Sequence, residues 1–216
     1  MVKLKRYLIL LAGLFVSSLG VSMITRANLG TSPISSIPYV LSLQFPLTLG
    51  EFTIAFSILL IVLQILILRK NFKLVDILQI PVSIIFGYFI DFCMMLLSFV
   101  NPQIYLWKLV YLFIGCIILG TGVYLEVLAN VVMLPGEAFV RAVTVTWKTD
   151  FGITKIVFDV FMAVTAGVLA IVFFGKLQGV REGTVAAALL VGFTARTWEK
   201  LLSFLPKKIY RDSKVN

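Results

Sequence analysis

The chain has 216 residues, of which 60% are hydrophobic and only 13% are charged. A soluble domain of this size needs more polar residues than these to cover its surface. The composition therefore excludes an ordinary soluble enzyme and indicates a membrane protein with several spans. Histidine is absent and there are two cysteines, which excludes histidine-based catalysis and the usual histidine or cysteine metal sites. We therefore predict neither a metal nor a cofactor.

The net charge of +9 comes from 19 basic and 10 acidic residues, and its distribution argues against a nucleic-acid partner. The cations do not mark one face of a soluble domain but form clusters between apolar runs. Such clusters are typical of the cytoplasmic edges of a membrane protein, where Lys and Arg accumulate. They are Lys3, Lys5 and Arg6; Arg69, Lys70 and Lys73; and Lys207, Lys208, Arg211 and Lys214.

Six apolar runs are long enough to cross about 30 Å of hydrocarbon as helices, which takes about 20 residues each. We predict spans over 7–26, 50–68, 76–99, 107–128, 152–174 and 183–204. The first run follows a basic stretch, but no signal-peptide cleavage motif follows it, so we expect a retained helix. The prediction is a single membrane domain, 1–216, with a basic cytoplasmic tail over 205–216.

Two further apolar segments, 30–47 and 131–148, are interrupted by prolines. Pro33, Pro38 and Pro46 leave about a dozen helical residues in the first segment, which rise only about 18 Å. Pro33 and Pro135 suit the first turn of a short helix, where the missing N–H is not needed. We predict half-helices or re-entrant hairpins, which membranes tolerate where the backbone lines a polar cavity or is buried in protein.

The sequence also repeats itself over 7–99 and 107–204. Thr48 and Asp150, both candidate N-caps, fall on each other after a shift of 102 residues. Gly87 and Asp91 fall on Gly192 and Arg196 after three more. The shift also aligns six residues, Gly13, Gly20, Ala27, Asn28, Pro33 and Gly50, with Gly115, Gly122, Ala129, Asn130, Pro135 and Gly152. Glycines on the first and fourth spans, Gly13, Gly20, Gly115, Gly120 and Gly122, predict close helix packing.

The number of spans in each repeat decides how the two repeats are oriented. Three spans invert the second repeat relative to the first, whereas four would leave them parallel. Only the three-span arrangement keeps the cluster at 69–73 in the cytoplasm with both termini. The predicted fold is an all-α polytopic membrane protein of two inverted three-helix repeats, each with a broken or re-entrant segment, as in many secondary transporters.

The second repeat holds the charges that are hardest to explain by position alone. Glu137 follows Pro135-Gly136, and Arg141 lies one helical turn later. Lys155 and Asp159 form a second pair at the same spacing, deeper in an apolar run. Either pair is explained by helix-end charge and intrahelical pairing. The functional alternative makes Glu137 and Asp159 proton or cation sites in a cavity, with Lys155 and Arg181 as substrate or counter-charge contacts. The two broken segments would then form the gate.

The start of the last span offers another candidate site. Arg181 and Glu182 precede Gly183 and Thr184, and a helix N-terminus beside a guanidinium is a typical anion pocket. An exposed loop leading into a helix explains the same residues without a ligand. Asn28 and Asn130 occupy the break of each repeat, and we include both as candidate ligand-binding residues.

The second-repeat motifs resemble those of the YczE/YyaS/YitT group of bacterial membrane proteins. The similar stretches are Leu134-Pro135-Gly136-Glu137, Phe151-Gly152 with Lys155 and Phe158-Asp159, Gly179-Val180-Arg181-Glu182-Gly183-Thr184 and, in the first repeat, Asn28-Leu29-Gly30-Thr31-Ser32-Pro33. The resemblance implies a small, multi-pass protein of the bacterial plasma membrane and no particular activity. We do not expect the soluble C-terminal domain that YitT-type members carry.

Architecture and charge together favour secondary transport of a small polar or anionic solute at the repeat interface. Alternatives are a substrate-binding membrane subunit of a multi-component transporter, and a lipid-handling or assembly factor. We do not expect an enzyme, because no nucleophile–base pair is evident. The expected partners are the lipid bilayer and a small solute, without nucleic acid, and a homodimer is left open.

Overall fold

The computed structural model describes residues 2–202, apart from the side chains of residues 2, 3 and 74. The predicted tail over 205–216 lies outside the described residues. The described part is helical, with eight α-helices and two short 3₁₀ turns at Arg69–Asn71 and Leu74–Leu78. The helices are α1 (Val2–Arg26), α2 (Pro33–Gln44), α3 (Leu49–Leu68), α4 (Gln79–Leu96), α5 (Tyr105–Ala129), α6 (Pro135–Trp147), α7 (Phe151–Phe174) and α8 (Glu182–Leu201).

Within the described residues, five helices are long and apolar enough to cross a membrane: α1, α3, α4, α5 and α7. The chain is therefore a membrane protein built from helices. The sixth predicted span, 183–204, does form helix α8, but α8 is not among the five. Arg196, Glu199 and Lys200 near its end make it more polar than the other long helices.

The ends of the helices follow from local sequence. Thr48 caps α3 in a capping box with Glu51, and the side chain of Asp150 accepts the Ile153 N–H at the start of α7. The short helices α2 and α6, of 12 and 13 residues, both begin with proline. The prediction of short helices at 30–47 and 131–148 is confirmed, and helix lengths follow the order long, short, long, long twice along the chain.

Helices α1 and α5 pack against each other along the centre of the molecule. Glycines make this approach possible: a Cβ on Gly20 would overlap the backbone of Leu119, and one on Gly122 would overlap the backbone of Ser17. The close packing predicted for these glycines is confirmed. Helix α4 then packs on α1, and α8 packs on α5.

The short helices connect the two halves of the chain. Helix α2 packs on α3 and α7, and α6 packs on α7 and α3. The two halves differ in the packing of their last helices. Helix α4 packs closely on α3, whereas α8 does not pack closely on α7. This difference leaves an opening between α7 and α8.

Candidate functional site

A cavity of about 340 Å³ lies between the two halves of the chain, and all eight helices contribute to its wall. Much of the wall is apolar, with Phe56, Leu60 and Phe86 on one side and Ala187 and Val191 on the other. Its polar side chains are fewer: Ser17, Ser32, Ser35, Thr53, Ser57, Glu137, Lys155, Asp159 and Arg196. Enclosed apolar walls with a few polar groups are typical of sites for small molecules.

The two short helices direct their N-terminal ends at this cavity. Ser32 and Pro33 at the start of α2 line it, as do Leu134 and Pro135 at the start of α6. The two ends touch, since a Cβ on Gly136 would overlap the side chain of Ile34. Neither Ser32 nor Leu134 caps its helix with a side-chain hydrogen bond. Two positive helix ends without caps therefore face the same space.

Three of the predicted ionisable residues lie together in the wall. Lys155 Nζ lies 2.6 Å from Asp159 Oδ1, so the predicted pair on α7 is confirmed. Glu137 lines the same cavity from the first turn of α6. We expected one cavity to reach Glu137, Lys155, Asp159 and Arg181 together; the first three line it, whereas Arg181 does not.

Arg141 does not pair with Glu137, in contrast to the interpretation of these residues as an ion pair. Its side chain is exposed, and its Nη1 contacts Met133 Sδ at 3.8 Å. Among the described residues, Lys155–Asp159 and Arg181–Glu182 are the ion pairs that form. Glu137 therefore faces the cavity without a salt bridge from its own helix.

Helix α8 begins away from the cavity, so Arg181, Glu182 and Thr184 are not in its wall. Arg181 Nε lies 3.6 Å from Glu182 Oε2 at the surface. The Gly183 N–H donates to the carbonyl of Leu29 over 2.8 Å, and Thr184 Oγ1 accepts the Thr31 N–H. The start of α8 is thus bonded to the loop that precedes α2, and Arg181 and Glu182 line a separate, open groove beside α7.

Asn28 and Asn130 also lie outside the cavity and have a backbone role. Both have left-handed conformations, with φ of 58° and 45°, at the ends of α1 and α5. This is the usual C-terminal arrangement of a helix that ends sharply, and Asn tolerates it better than most residues. Their carbonyls accept hydrogen bonds from Arg181 and Arg6, respectively.

Several residues of the site were not predicted as site residues. Ser57 is 8% exposed and lines the cavity, yet its hydroxyl has no hydrogen-bond partner among the described residues. Arg196 also lines the cavity, although its sequence position near the basic tail favoured a membrane-edge role. Ser57 carried no usable signal, because an isolated serine in an apolar run is common.

Two acidic residues of the spans are held by hydrogen bonds. Glu126 is buried and accepts a hydrogen bond of 2.5 Å from the hydroxyl of Ser17. Asp91 accepts one from the Thr48 hydroxyl over 2.6 Å and one from the Gly50 N–H over 2.8 Å. Asp91 lies in an apolar helix, where an unpaired carboxylate would be costly, and the N-terminus of α3 supplies its partners.

Comparison with known proteins identifies relatives but no activity. The chain is 32% identical over 120 residues to a protein named "Uncharacterized protein YyaS" from Bacillus subtilis (strain 168). This match covers 53% of the chain and 57% of the relative. No solved structure matches the chain.

A family model described as a family of unknown function, DUF6198, matches residues 4–200. The match extends from the first helix almost to the end of the last, so it includes every residue of the cavity wall. Together with the YyaS match it confirms the predicted resemblance. The chain belongs to the DUF6198 family.

Proposed function

We propose that this protein is a secondary transporter of a small polar or anionic solute in a bacterial plasma membrane. The observation that carries the proposal is the cavity between the two halves of the chain, into which the N-terminal ends of α2 and α6 both point. Interrupted helices that meet at an internal site are typical of secondary transporters, and their positive ends favour anionic groups.

The ionisable residues of the wall support coupling to an ion. Glu137 and Asp159 lie in a space with few other polar groups, where an uncompensated charge costs several kcal/mol. A proton or a small cation compensates such a charge. We assign Glu137 as the coupling carboxylate, because Asp159 already has Lys155 as its partner.

We also propose a topology of two inverted three-span repeats, with both termini in the cytoplasm. The repeated order of long and short helices supports it. In this topology the start of α3 and the end of α4 lie outside the cell. The start of α7 and the end of α8 lie in the cytoplasm. The opening between α7 and α8 then leads to the cytoplasm.

The test is uptake by proteoliposomes that contain the purified protein. A panel of small labelled carboxylates, inorganic anions and neutral polar solutes is offered with and without a pH gradient. We expect saturable uptake of at least one class of solute. Glu137→Gln should abolish the effect of the pH gradient, because its side chain can no longer exchange a proton.

Glu51→Gln is the matched control. Glu51 occupies the same position of its helix as Glu137, but it is exposed and its role is the capping box of α3. Glutamine keeps that cap, so uptake and its pH dependence should be unchanged. Absence of uptake across the panel, or equal pH dependence in the Glu137→Gln protein, contradicts the proposal.

A further inference from the structure

We infer that Asp150 and Arg196 form a gate that closes the cavity between α7 and α8 in a second conformation of the protein. The inference rests on the proposed transport function and deepens it by assigning residues to the closing of one side. Its basis is a difference between the two halves of the chain. Helices α3 and α4 are in contact, whereas the corresponding helices α7 and α8 are apart.

In the first half, α3 and α4 are locked together around two glycines. A Cβ on Gly50 would overlap the carbonyl oxygen of Gly87, so the two backbones touch there. Asp91, one turn beyond Gly87, accepts hydrogen bonds from the Thr48 hydroxyl and the Gly50 N–H. The N-cap residue of α3 is thus bonded to a side chain of α4, and this side of the cavity is sealed.

In the second half, the corresponding glycines, Gly152 and Gly192, do not bring α7 and α8 together. A Cβ on Gly192 would meet no atom within 4 Å, and one on Gly152 would meet only the nearby Asp150 side chain, at 3.2 Å. Gly192 and Arg196 line the cavity and are exposed on α8. A glycine with open space around it is unexplained by packing in this conformation, but it is needed if α8 approaches α7 as α4 approaches α3.

The side chains that would meet in that approach have complementary charge. Asp150 corresponds to Thr48 and caps α7, as Thr48 caps α3. Arg196 corresponds to Asp91 and forms no ion pair among the described residues. In the first half a hydroxyl donates to a carboxylate, whereas in the second a guanidinium would donate to a carboxylate. The first half has its donor on α3 and its carboxylate on α4, whereas the second half would have its carboxylate on α7 and its donor on α8. Both contacts would therefore be hydrogen bonds to a carboxylate.

If the Thr48–Asp91 and Asp150–Arg196 contacts form alternately, the protein has two conformations. In one, which the structure has, Thr48–Asp91 is formed and α7 and α8 are apart. In the other, Asp150–Arg196 is formed and α3 separates from α4. A solute in the cavity then reaches one side of the membrane at a time.

Disulfide cross-linking tests the gate without knowledge of the solute. Asp150→Cys and Arg196→Cys are introduced together in a chain whose own Cys93 and Cys116 are replaced by alanine. A protease site in the loop between α7 and α8 reports the link, because the two fragments stay joined after cleavage only if the disulfide has formed. A disulfide needs Cα atoms within about 7 Å, so it forms only when α8 approaches α7. We expect efficient cross-linking on oxidation in membranes.

Two controls bracket this result. Thr48→Cys with Asp91→Cys, cleaved between α3 and α4, should cross-link because those residues already touch. Asp150→Cys with Thr194→Cys should cross-link at least tenfold more slowly, because Thr194 lies two residues before Arg196 on the opposite face of α8, against Gly120 of α5. Equal linking of Arg196→Cys and Thr194→Cys would show random collision and overturn the gate.

Gly192→Leu provides a second measurement that does not depend on the charged pair. Gly192 is exposed and a Cβ there meets no atom within 4 Å, so thermal stability in detergent should be unchanged. The closed gate has no room for it, so linking between positions 150 and 196 should be lost. Undiminished linking in the Gly192→Leu protein would overturn the inference.

The outcomes also separate the gate from the transport proposal. Cross-linking as expected, together with no uptake of any solute in the panel, leaves the gate standing and contradicts the transport function. Uptake without cross-linking at positions 150 and 196, while positions 48 and 91 do link, contradicts the gate alone.

Discussion

Individual side chains in this protein show how a membrane interior accommodates charge. Glu126 is 8% exposed in a long apolar helix, and the Ser17 hydroxyl is bonded to it across the α1–α5 contact. Lys155 and Asp159 neutralise each other within one helix. Glu137 lies in the cavity wall with neither arrangement, which is why we assign it the exchangeable charge.

We predict that Ser17→Ala destabilises the protein. The change removes the hydroxyl that donates to Glu126 and leaves a buried carboxyl group without that hydrogen bond. Loss of one partner of a buried hydrogen bond costs about 1–3 kcal/mol, so thermal unfolding in detergent should occur several degrees lower. The control is Thr121→Ala, which removes a hydroxyl bonded only to the backbone of its own helix. Equal unfolding temperatures for the two variants would contradict this role of Ser17.

The Lys155–Asp159 pair should behave as a coupled unit in stability measurements. Lys155→Met leaves Asp159, which is 17% exposed, without its counter-charge. Breaking a buried pair by removal of one partner is typically far more destabilising than replacing both partners with apolar residues. We expect the double variant Lys155→Met, Asp159→Leu to be more stable than Lys155→Met alone. A double variant whose loss equals the sum of the two single losses would show that the residues act independently.

The sequence predicted those site residues whose partners are near in the chain. Lys155 and Asp159 are four residues apart, so helical spacing alone predicted their bond. Ser17 and Glu126 are separated by 109 residues, and no local pattern shows that α1 and α5 bring them together. Arg181 and Thr184 had the local pattern of an anion pocket, but the loop before α2 fills that position.

At the scale of helices, proline and glycine positions decide which elements form and how closely they pack. The prolines at positions 33 and 135 begin the two short helices, as predicted. The length of α8 was also predicted, but its charged last turns set it apart from the five apolar spans. Hydropathy alone therefore overestimated the similarity of the six long helices.

We predict that Gly20→Ala weakens the contact between α1 and α5. The added Cβ would overlap the backbone of Leu119, which cannot move without displacing α5. Overpacking of this kind costs about 1–3 kcal/mol, and thermal unfolding in detergent measures it. Gly167→Ala on α7 is the matched control, because the nearest atom there, Leu177 Cδ2, lies at an ordinary 3.6 Å. A Gly20→Ala protein as stable as the control would contradict a close α1–α5 contact.

At the scale of the whole molecule, the two halves have the same helix order but differ in one contact. The closed α3–α4 pair and the open α7–α8 pair give the central cavity a sealed side and an open side. Sequence comparison of the halves aligned Gly87 with Gly192 and Asp91 with Arg196. It could not show which pair is closed, because the same residues suit both arrangements.

If the protein is a transporter as proposed, we expect the cavity to be reached from each side of the membrane in turn. The most direct measurement is labelling of Ser57→Cys, a cavity residue, by a membrane-impermeant maleimide in vesicles of either orientation, with Cys93 and Cys116 replaced by alanine. Ser83→Cys is the matched control: Ser83 is fully buried outside the cavity and should stay unlabelled. We predict labelling from the cytoplasmic side, which shifts to the outer side when residues 150 and 196 are cross-linked. Labelling from neither side, or from the cytoplasmic side alone with the cross-link in place, would contradict the account.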